Sequence, residues 1–542
     1  MNDHNVAALC EAIAGAVPTR ECIVAPGRRW TWGETSERTR RLAVVLQDAG
    51  LGLRADPAEV APWESPHDHV ALYLTNSHEY LEGMLGAWKA RTAPVNINYR
   101  YVATELAYVL RDSGARAVIV GGRYVDVLAE VLPDLPEVQL VLQVDDGSGA
   151  ALLPGAVPYD QTLADAEPRE PTGLSPDDRY ILYTGGTTGM PKGVLWRQGD
   201  FLATCLGVSG SADELLAIAT KRDGLRSLPS APFMHGAAHW NAISTWVSGG
   251  TIVLPHDPSR LDPADVLETC QREHVTSLQI VGDAFARPLL DELRRGSYDL
   301  SALRFLLSGG AILSATMKAA LVEELPSLRI VDVLGSSETG RQAVAGAETA
   351  SFAPSEAAAV LSADRSRLLA PGEDEIGWLA QRGRVPLGYL GDPDKTAATF
   401  PVIDGVRFAV AGDHVRWGAD GRLELLGRDS VTINTGGEKV YAEEVEQAIT
   451  SHPAVADALV VGRPNPRWGQ EVVAVVAATV DAARLSDEQL RDHCRTTIAG
   501  YKVPKAFMWV DDVRRSPSGK PDYAWAREIV TQKASEPDAR NT

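Results

Sequence analysis

The chain has 542 residues, of which 45% are hydrophobic, 52 are Lys or Arg and 72 are Asp or Glu, so its formal net charge is −20. This length exceeds one ordinary hydrophobic core and predicts at least two domains. The acidic balance disfavours nonspecific binding to nucleic acid or to anionic membranes, but a local basic pocket can still receive an anionic substrate.

Five scattered cysteines without a CxxC pair predict neither a disulfide framework nor a zinc site, and they favour a reducing cytoplasm. The first 17 residues contain an apolar stretch that Glu11 interrupts and have no basic leader, which predicts an amphipathic helix rather than a signal peptide. We expect no membrane-spanning helix, because no run of about 18 apolar residues occurs.

Short apolar segments alternate with helical patterns over most of the chain, which is typical of an α/β protein with largely parallel sheets. The predicted strands in this part are residues 70–75, 117–120, 138–144, 180–183, 251–254, 277–281, 305–308 and 330–334. Predicted helices include residues 263–273 and 315–324.

From residue 409 the pattern changes to short strands at 413–417 and 423–426, with a turn at 419–421 that predicts a hairpin. A compact α+β pattern follows Arg428 and has the length of a separate small domain. We therefore predict two domains, residues 1–428 and residues 429–542.

The motif TGGTTGMPKG occupies residues 184–193, directly after a predicted strand. Glycines let the backbone approach phosphates, hydroxyls and amides donate to them, and Lys192 adds a positive charge. The motif is not a Walker A loop, because Met190 and Pro191 separate Gly189 from Lys192. The alternative is a flexible surface turn, but the density of Thr, Gly and Lys favours a phosphate loop.

The motif LGSSETG occupies residues 334–340 at the end of another predicted strand, where ligands bind in open α/β sheets. Glu338 is a candidate Mg²⁺ ligand, because Mg²⁺ prefers one or two carboxylates together with phosphates. The alternative is a helix N-terminus that Ser336 or Ser337 caps and whose dipole Glu338 faces. The nearby phosphate loop favours the metal site.

Three further motifs follow: GDHVRW at residues 412–417, INTGGEKV at 433–440 shortly after Arg428, and SPSGK at 516–520. Asp413 beside a strand is a candidate acceptor for both hydroxyls of a ribose, although by itself a turn aspartate is the simpler interpretation. Lys520 on its loop is, without context, a solvated lysine.

These five motifs, in this order, resemble those of the adenylate-forming superfamily of acyl-CoA synthetases, nonribosomal peptide adenylation domains and luciferases, and the resemblance covers about residues 10–530. It implies a large N-terminal domain of parallel and mixed sheets with helices and a β-barrel-like subdomain, and a small mobile α+β C-terminal domain. It also implies a cytoplasmic ligase that uses ATP, Mg²⁺ and coenzyme A (CoA) to convert a carboxylic acid, through an acyl-adenylate, to acyl-CoA, AMP and pyrophosphate.

The resemblance assigns catalytic roles to Lys192, His235, Glu338 and Lys520, with Glu338 as the metal ligand. His235 lies in the motif PFMHG, residues 232–236, and a core histidine is its alternative interpretation. The implied ATP and AMP contacts are Thr184, Gly185, Gly186, Thr187, Thr188, Gly189, Lys192, Gly309, Gly310, Ala311, Gly335, Ser336, Ser337, Glu338, Asp413, Arg428 and Lys520. The implied path for CoA contains Gly436, Gly437 and Lys439.

Several other segments, among them residues 63–73, 95–101 and 281–289, resemble steroid side-chain and related bulky-acid CoA ligases of bacterial sterol catabolism. This implies a preference for acids with a bulky or ring-bearing body, or for long-chain fatty acids, with aryl or medium-chain acids as the alternative. The implied acyl pocket consists of Met234, Ala237, Trp240, Asp283, Ser308, Gly310, Leu334 and Gly340.

The sequence departs from the superfamily at two positions. Leu334 occupies a position that is usually aromatic, so adenine would be held by aliphatic contact. The hinge position is usually Asp or Lys but is Ser430 here, preceded by Asp429, so both residues are hinge candidates.

Two rival functions remain: an adenylation enzyme that loads a carrier protein, and an inactive nucleotide sensor. The complete set of Lys192, Glu338, Asp413, Arg428 and Lys520 argues against the sensor. The oligomeric state is left open, a homodimer included.

Overall fold

The structure is a computed structural model, and it describes residues 3–186, 189–311, 313–347, 349, 351–428, 431–435, 438–465, 468–479, 484–498, 500–516 and 519–535. Its α-helices are α1 (Val6–Ala16), α2 (Trp32–Asp48), α3 (His78–Lys89), α4 (Ala103–Asp112), α5 (Val125–Val131), α6 (Tyr159–Asp165), α7 (Gln198–Leu206), α8 (Ala212–Lys221), α9 (Gly236–Trp246), α10 (Pro263–Arg272), α11 (Gly282–Arg295), α12 (Ala315–Glu324), α13 (Pro393–Thr399), α14 (Ala442–Thr450), α15 (Asp487–Arg495) and α16 (Tyr523–Ser535).

Two short 3-10 helices lie at Gly122–Tyr124 and Leu132–Asp134. The strands are β1 (Glu21–Ala25), β2 (Arg28–Thr31), β3 (His69–Tyr73), β4 (Ala93–Asn96), β5 (Ala115–Gly121), β6 (Leu140–Val144), β7 (Val157–Pro158), β8 (Arg179–Gly186), β9 (Gly189–Arg197), β10 (Arg226–Pro229), β11 (Thr251–Val253), β12 (Ser277–Ile280), β13 (Phe305–Gly309), β14 (Arg329–Ser336), β15 (Gly340–Ala345), β16 (Ala353–Pro354), β17 (Ala358–Leu361), β18 (Gly377–Arg382), β19 (Gly388–Tyr389), β20 (Val402–Ile403), β21 (Val406–Ala409), β22 (Asp413–Trp417), β23 (Leu423–Arg428), β24 (Thr432–Thr435), β25 (Glu438–Tyr441), β26 (Val455–Asn465), β27 (Gly469–Ala478) and β28 (Ala506–Val510).

The first large sheet has nine strands in the order β16-β15-β14-β13-β12-β10-β11-β1-β2. Its middle strands, from β11 through β14, are parallel, whereas β2, β15 and β16 pair antiparallel at the two edges. The carboxyl ends of β12, β13 and β14 therefore lie side by side, and the residues that follow them meet at one edge of the sheet.

A second, parallel sheet has the order β4-β3-β5-β6-β7. All five residues of β3 are buried, as expected for a strand that is covered by other elements on both faces. A three-stranded antiparallel sheet, β19-β9-β8, packs against this region and carries the threonine- and glycine-rich motif.

Strands β17, β18 and β20–β23 form a separate antiparallel sheet with two small hydrophobic cores. One of these cores also contains Leu334 of β14 and Ala343 of β15, which packs the small sheet against the nine-stranded sheet. The predicted hairpin is present, since β22 pairs antiparallel with β23. We identify this antiparallel sheet with the barrel-like subdomain that the resemblance implied.

The C-terminal residues build one further hydrophobic core, whose members run from Val431 to Val530. Their sheet has the order β25-β24-β27-β26, with β28 parallel to β27, and helices α14 and α16 pack on it. We refer to residues 431–535 as the C-terminal unit. Across the described part of the chain, no helix is long and apolar enough to cross a membrane.

Candidate active site

The threonine- and glycine-rich motif forms an antiparallel hairpin rather than a loop between a strand and a helix. In β8 and β9, Thr184 lies opposite Lys192, and Gly186 lies opposite Gly189. The predicted phosphate contacts Thr187 and Thr188 lie outside the described residues. The hairpin register places the Lys192 side chain beside the motif, where its ammonium pairs with the carboxylate of Asp392.

The Glu338 motif is the turn between β14 and β15, so the alternative of a helix N-terminus is wrong. The hydroxyl of Thr339 accepts a hydrogen bond from the backbone N–H of Ser336 at 3.1 Å, which stabilises the tight turn. The indole N–H of Trp196 in β9 donates to the Ser337 carbonyl at 2.9 Å. This bond joins the turn to the hairpin of β8 and β9, residues 179–186 and 189–197, which we call the phosphate hairpin after its predicted role.

The Glu338 carboxylate is half-buried, and its Oε1 accepts a hydrogen bond from the Tyr389 hydroxyl at 2.9 Å. Tyr389 and Asp392, the partners of Glu338 and Lys192, are site residues that the sequence analysis missed. Both lie in residues 388–396, which contain β19 and the start of α13, a segment without an obvious phosphate-binding pattern. The signal that was available is Asp392 followed by Pro393, which is typical of a helix start.

A cleft of about 1310 Å³ opens between the sheet edge and the C-terminal unit. The predicted site residues in its wall are Asp283, Gly310, Ala311, Leu334, Gly335, Asp413 and Lys520. They come from the ends of β12, β13 and β14, from the start of β22 and from a loop of the C-terminal unit. The tertiary structure thus brings three of the sequence motifs to one cavity.

Asp413, the first residue of β22, is buried and forms part of the cleft wall. Its Cα partner across the hairpin is Arg428, the other predicted ribose contact, so the two predicted residues are neighbours. Arg428 and Lys439 lie on β23 and β25, and only their backbone is described.

His235 is the N-cap residue of α9, and its ring nitrogen Nε2 is buried without a hydrogen-bond partner among the described residues. Burial lowers the pKa of His235 to about 3, and the positive charges of Lys520 and Arg100 act in the same direction. The imidazole is therefore neutral at physiological pH. The effect of Lys520 on this pKa places the lysine in electrostatic range of His235.

Two buried asparagines hold the His235 loop, and the sequence analysis missed both. The Asn96 amide donates to the carbonyls of Met234 at 2.7 Å and Tyr183 at 2.8 Å, which joins the loop to the phosphate hairpin. The Asn76 amide donates to the Ala231 carbonyl at 2.8 Å. Their position at or just beyond the ends of apolar strands was the signal that could have revealed them.

The loop that carries Lys520 contacts the large sheet region directly. Gly519 has a φ of +73°, and a Cβ atom there would lie 3.1 Å from the Val281 carbonyl oxygen, so glycine permits the close approach. The Arg515 guanidinium donates to the Gly519 carbonyl at 3.2 Å and to both oxygens of Asp457 at 2.6 and 2.7 Å. Lys520 itself is exposed.

The predicted acyl-pocket residues are not all in one place. Asp283, Gly310 and Leu334 line the cleft, whereas Met234 is a buried residue of the His235 loop. The Trp240 indole N–H donates to the Tyr180 hydroxyl at 2.6 Å. The remaining members pack within the structure: Ser308 and Gly340 are buried and Ala237 is half-buried.

Two cleft residues have constraints that bear on substitution. The carboxylate of Asp283 accepts a hydrogen bond from the Ser314 backbone N–H at 2.8 Å, and burial raises its pKa. Gly310 has a φ of +90°, so any side chain there strains the backbone even though the space beside it is open. A larger residue at Gly310 would therefore not report on acyl contacts alone.

The predicted hinge residues Asp429 and Ser430, and Gly436 and Gly437 of the CoA path, lie outside the described residues. The neighbouring C-terminal acidic residues are described: the N-terminus of α14 carries Glu443 and Glu444, and both line the cleft.

A model of the family described as AMP-binding enzyme matches residues 10–373, and a model of the AMP-binding enzyme C-terminal domain matches residues 444–520. The chain belongs to the AMP-binding enzyme family. This confirms the resemblance that the ordered motifs predicted. The two matched regions of this AMP-binding enzyme correspond to the sheet region and the C-terminal unit.

Curated relatives match the AMP-binding enzyme over nearly its whole length. The medium-chain acyl-CoA ligase Mig of Mycobacterium avium is 48% identical, with 96% of this chain and 98% of that protein covered. The 3-oxocholest-4-en-26-oate–CoA ligase of Rhodococcus rhodochrous is 40% identical, with 97% and 95% covered.

Among solved structures, the anthranilate CoA ligase AuaEII in complex with anthranoyl-AMP superposes with a TM-score of 0.84. The identity is 21%, and the match covers 99% of each chain. The predicted fold class is thereby confirmed.

Proposed function

We propose that this AMP-binding enzyme joins a carboxylic acid to CoA, consuming ATP and releasing AMP and pyrophosphate. The observation that carries the proposal is the cleft between the sheet edge and the C-terminal unit, with Asp413 in one part of its wall and Lys520 in another. The reaction predicted from the sequence agrees with the names of the two curated relatives, both of which are CoA ligases.

In the first step, a carboxylate oxygen attacks the α-phosphorus of ATP. A new P–O bond forms the acyl-adenylate, and the bond to the β-phosphate breaks, so that pyrophosphate leaves with the bonding electrons. Because negative charge gathers in the transition state, cations must be in place before the reaction. We assign this task to Lys192 on the hairpin and to Lys520 on its loop, and we assign the ribose to Asp413 and Arg428.

Glu338 suits a Mg²⁺ ion. Its Oε1 accepts a hydrogen bond from the Tyr389 hydroxyl, whereas its Oε2 has no hydrogen-bond partner among the described residues and is available to a cation. The described residues contain no group of three or more His, Cys, Asp or Glu placed to hold a metal. A single carboxylate is what Mg²⁺ takes when substrate phosphates and water supply its other ligands. Mg²⁺ held there would neutralise phosphate charge.

In the second step, the CoA thiol attacks the acyl carbon, the acyl–oxygen bond breaks, and AMP leaves. The mixed anhydride must be kept from water, which suits a cleft that a mobile domain closes. We propose that the boundary between the two domains follows Arg428, that Asp429 or Ser430 is the hinge, and that Gly436, Gly437 and Lys439 line the path of CoA.

We propose medium-chain and ring-bearing acids as substrates, the two acid classes in the names of the relatives. Burial of an apolar body contributes about 25 cal/mol per Å², so about 60 Å² more contact than acetate makes supplies ~1.5 kcal/mol, or about tenfold in kcat/KM. The stronger preference predicted from the sequence, for ring-bearing over straight medium-chain acids, stays a prediction.

The test is pyrophosphate release measured with a panel of acetate, octanoate, palmitate, an aryl acid and a sterol side-chain acid, each with and without CoA. We expect octanoate and the sterol acid to exceed acetate at least ~10-fold, and acyl-CoA to appear only when CoA is present. Acyl transfer to a carrier protein but not to CoA would favour the rival adenylation function. Absence of pyrophosphate release with every acid would contradict the proposal.

A further inference from the structure

Tyr389 is the buried side chain that contacts the proposed metal ligand. Its hydroxyl donates to Glu338 Oε1 at 2.9 Å, and only 4% of the residue is exposed. A buried phenol usually has a hydrogen-bond partner, and here that partner is the one carboxylate assigned to the phosphate end of the site.

The backbone around Tyr389 is held at several points. Residues Gly388 and Tyr389 pair with Leu195 and Val194 of β9, the strand that carries Lys192. The Leu390 N–H donates to the Gly193 carbonyl at 2.8 Å. The phenol ring therefore has a fixed distance from the phosphate hairpin.

A second set of contacts fixes the start of α13 in the same segment. The Tyr389 N–H donates to the Thr396 hydroxyl at 2.9 Å, and that hydroxyl donates to the Asp392 carbonyl at 2.6 Å. The side-chain carboxylate of Asp392 pairs through Oδ2 with Lys192, so the segment contacts both proposed phosphate-site residues.

We infer that Tyr389 is a positioning residue for the adenylation step, because its hydroxyl holds one oxygen of Glu338 and leaves the other available to a divalent cation. The inference rests on the proposed role of Glu338. A hydrogen bond to one oxygen removes the freedom of the carboxylate to rotate. Partners of this kind typically contribute 10- to 100-fold to metal affinity or activity.

The variant Tyr389→Phe removes the hydroxyl but keeps the ring that packs on Phe400. We expect a ~10-fold or larger rise in the Mg²⁺ concentration that gives half-maximal adenylation, and a lower kcat at saturating ATP. The rate at which supplied acyl-AMP and CoA are converted to acyl-CoA should remain within about twofold of the wild-type rate, since no metal-bound triphosphate takes part in this step.

A binding experiment gives a readout apart from activity. The affinity for α,β-methylene-ATP, measured by calorimetry with Mg²⁺ and with a chelator, should show a smaller gain from Mg²⁺ in Tyr389→Phe than in wild type. Tyr159→Phe is the matched control, because the Tyr159 hydroxyl likewise donates to a carboxylate, that of Glu82, at 3.0 Å. Neither Tyr159 nor Glu82 is among the described residues that line the cleft. The control should leave both readouts unchanged.

The double variant with Glu338→Gln separates the explanations. If Tyr389 acts through Glu338, the double variant should adenylate no more slowly than Glu338→Gln alone. Fully additive losses, or an unchanged Mg²⁺ response in Tyr389→Phe while Glu338→Gln shifts it, would overturn the inference and leave the proposed function intact. An unchanged Mg²⁺ response in Glu338→Gln as well would overturn the inference together with the proposed metal role of Glu338, whereas the acid panel tests the ligase function separately.

Discussion

Within the sheets of the N-terminal region, Glu338 and Lys192 are each bonded to a side chain of the 388–396 segment, and neither is among the described residues that line the cleft. Lys520 of the C-terminal unit lines the cleft and is exposed on a loop. The first two groups lie on paired strands or the turn between them, so their places are set before any substrate arrives. The place of Lys520 depends on how the C-terminal unit is docked. One part of the proposed site is therefore fixed by strand pairing, and the other part depends on the C-terminal unit.

This comparison agrees with a two-step reaction. Adenylation needs Lys192, the proposed Mg²⁺ at Glu338 and Lys520 around the triphosphate. Thioester formation instead needs access of the CoA thiol to the acyl-adenylate. A lysine on a separate unit can serve the first step and withdraw for the second, while the fixed wall keeps the nucleotide.

The largest expected effect comes from the C-terminal unit. Lys520→Ala should lower the rate of adenylation by ~10²-fold or more, because it removes a positive charge from the developing negative centre. Thioester formation from supplied acyl-AMP should be spared. ATP–pyrophosphate exchange measures the first step, and Lys505→Ala, another exposed lysine of the C-terminal unit, is the control. Wild-type exchange in Lys520→Ala would show that the assignment of Lys520 is wrong.

A smaller loss, of roughly 10- to 100-fold in adenylation at low Mg²⁺, is expected for Glu338→Gln on the fixed side. The amide keeps the shape of the side chain but removes the charge that holds the cation. Higher Mg²⁺ should recover part of the rate, which a titration of the exchange reaction would measure. Circular dichroism should show an intact fold, and an unaltered titration curve would contradict the metal role.

The docking of the Lys520 loop can be loosened without touching Lys520. Arg515→Lys keeps the charge but loses the forked contact with Asp457 and Gly519, so we expect adenylation to fall about 10-fold. Thioester formation should change less. Arg463→Lys is the control, since Arg463 pairs with Glu471 in the same unit at 2.8 Å. Equal losses in both half-reactions would indicate a general structural role for Arg515.

The smallest expected effect concerns stability against pH. Burial lowers the pKa of His235 in the folded protein to about 3, whereas in the unfolded chain it has the ordinary value of 6.5. Between these two pH values His235 is protonated in the unfolded chain and neutral in the folded protein. The free energy of unfolding therefore falls as the pH drops below about 6.5, by up to ~1.4 kcal/mol per pH unit for this group. Above that pH the group contributes nothing.

Urea unfolding of wild type and His235→Gln at pH 7.5 and 5.5 measures this contribution. The variant should lose less stability between the two pH values than wild type, and a change at the exposed His256 should not alter the difference. Identical pH dependence in wild type and His235→Gln would contradict a buried neutral imidazole.

Much of this protein is predictable from its sequence because the signals are local. Apolar runs between turn residues predicted the parallel strands β3, β5, β6, β11, β12, β13 and β14, since a strand buried on both faces needs such a run, but they did not predict β1, β4 or β10. The hairpin at 413–417 and 423–426 and helix 315–324 are present where the pattern placed them. The ordered motifs identified the family and the residues to examine, because phosphate and metal chemistry requires particular residue types at short spacings.

Only the tertiary structure decided how those residues are partnered. The contacts of Glu338 with Tyr389, of Lys192 with Asp392 and of the His235 loop with Asn96 join residues that are far apart in the chain. The Glu338 motif is a β-turn rather than a helix start because β15 pairs back on β14, a long-range outcome that a seven-residue motif does not specify. The sequence determined which groups the site contains, and the packing of distant strands determined which of them are held in place.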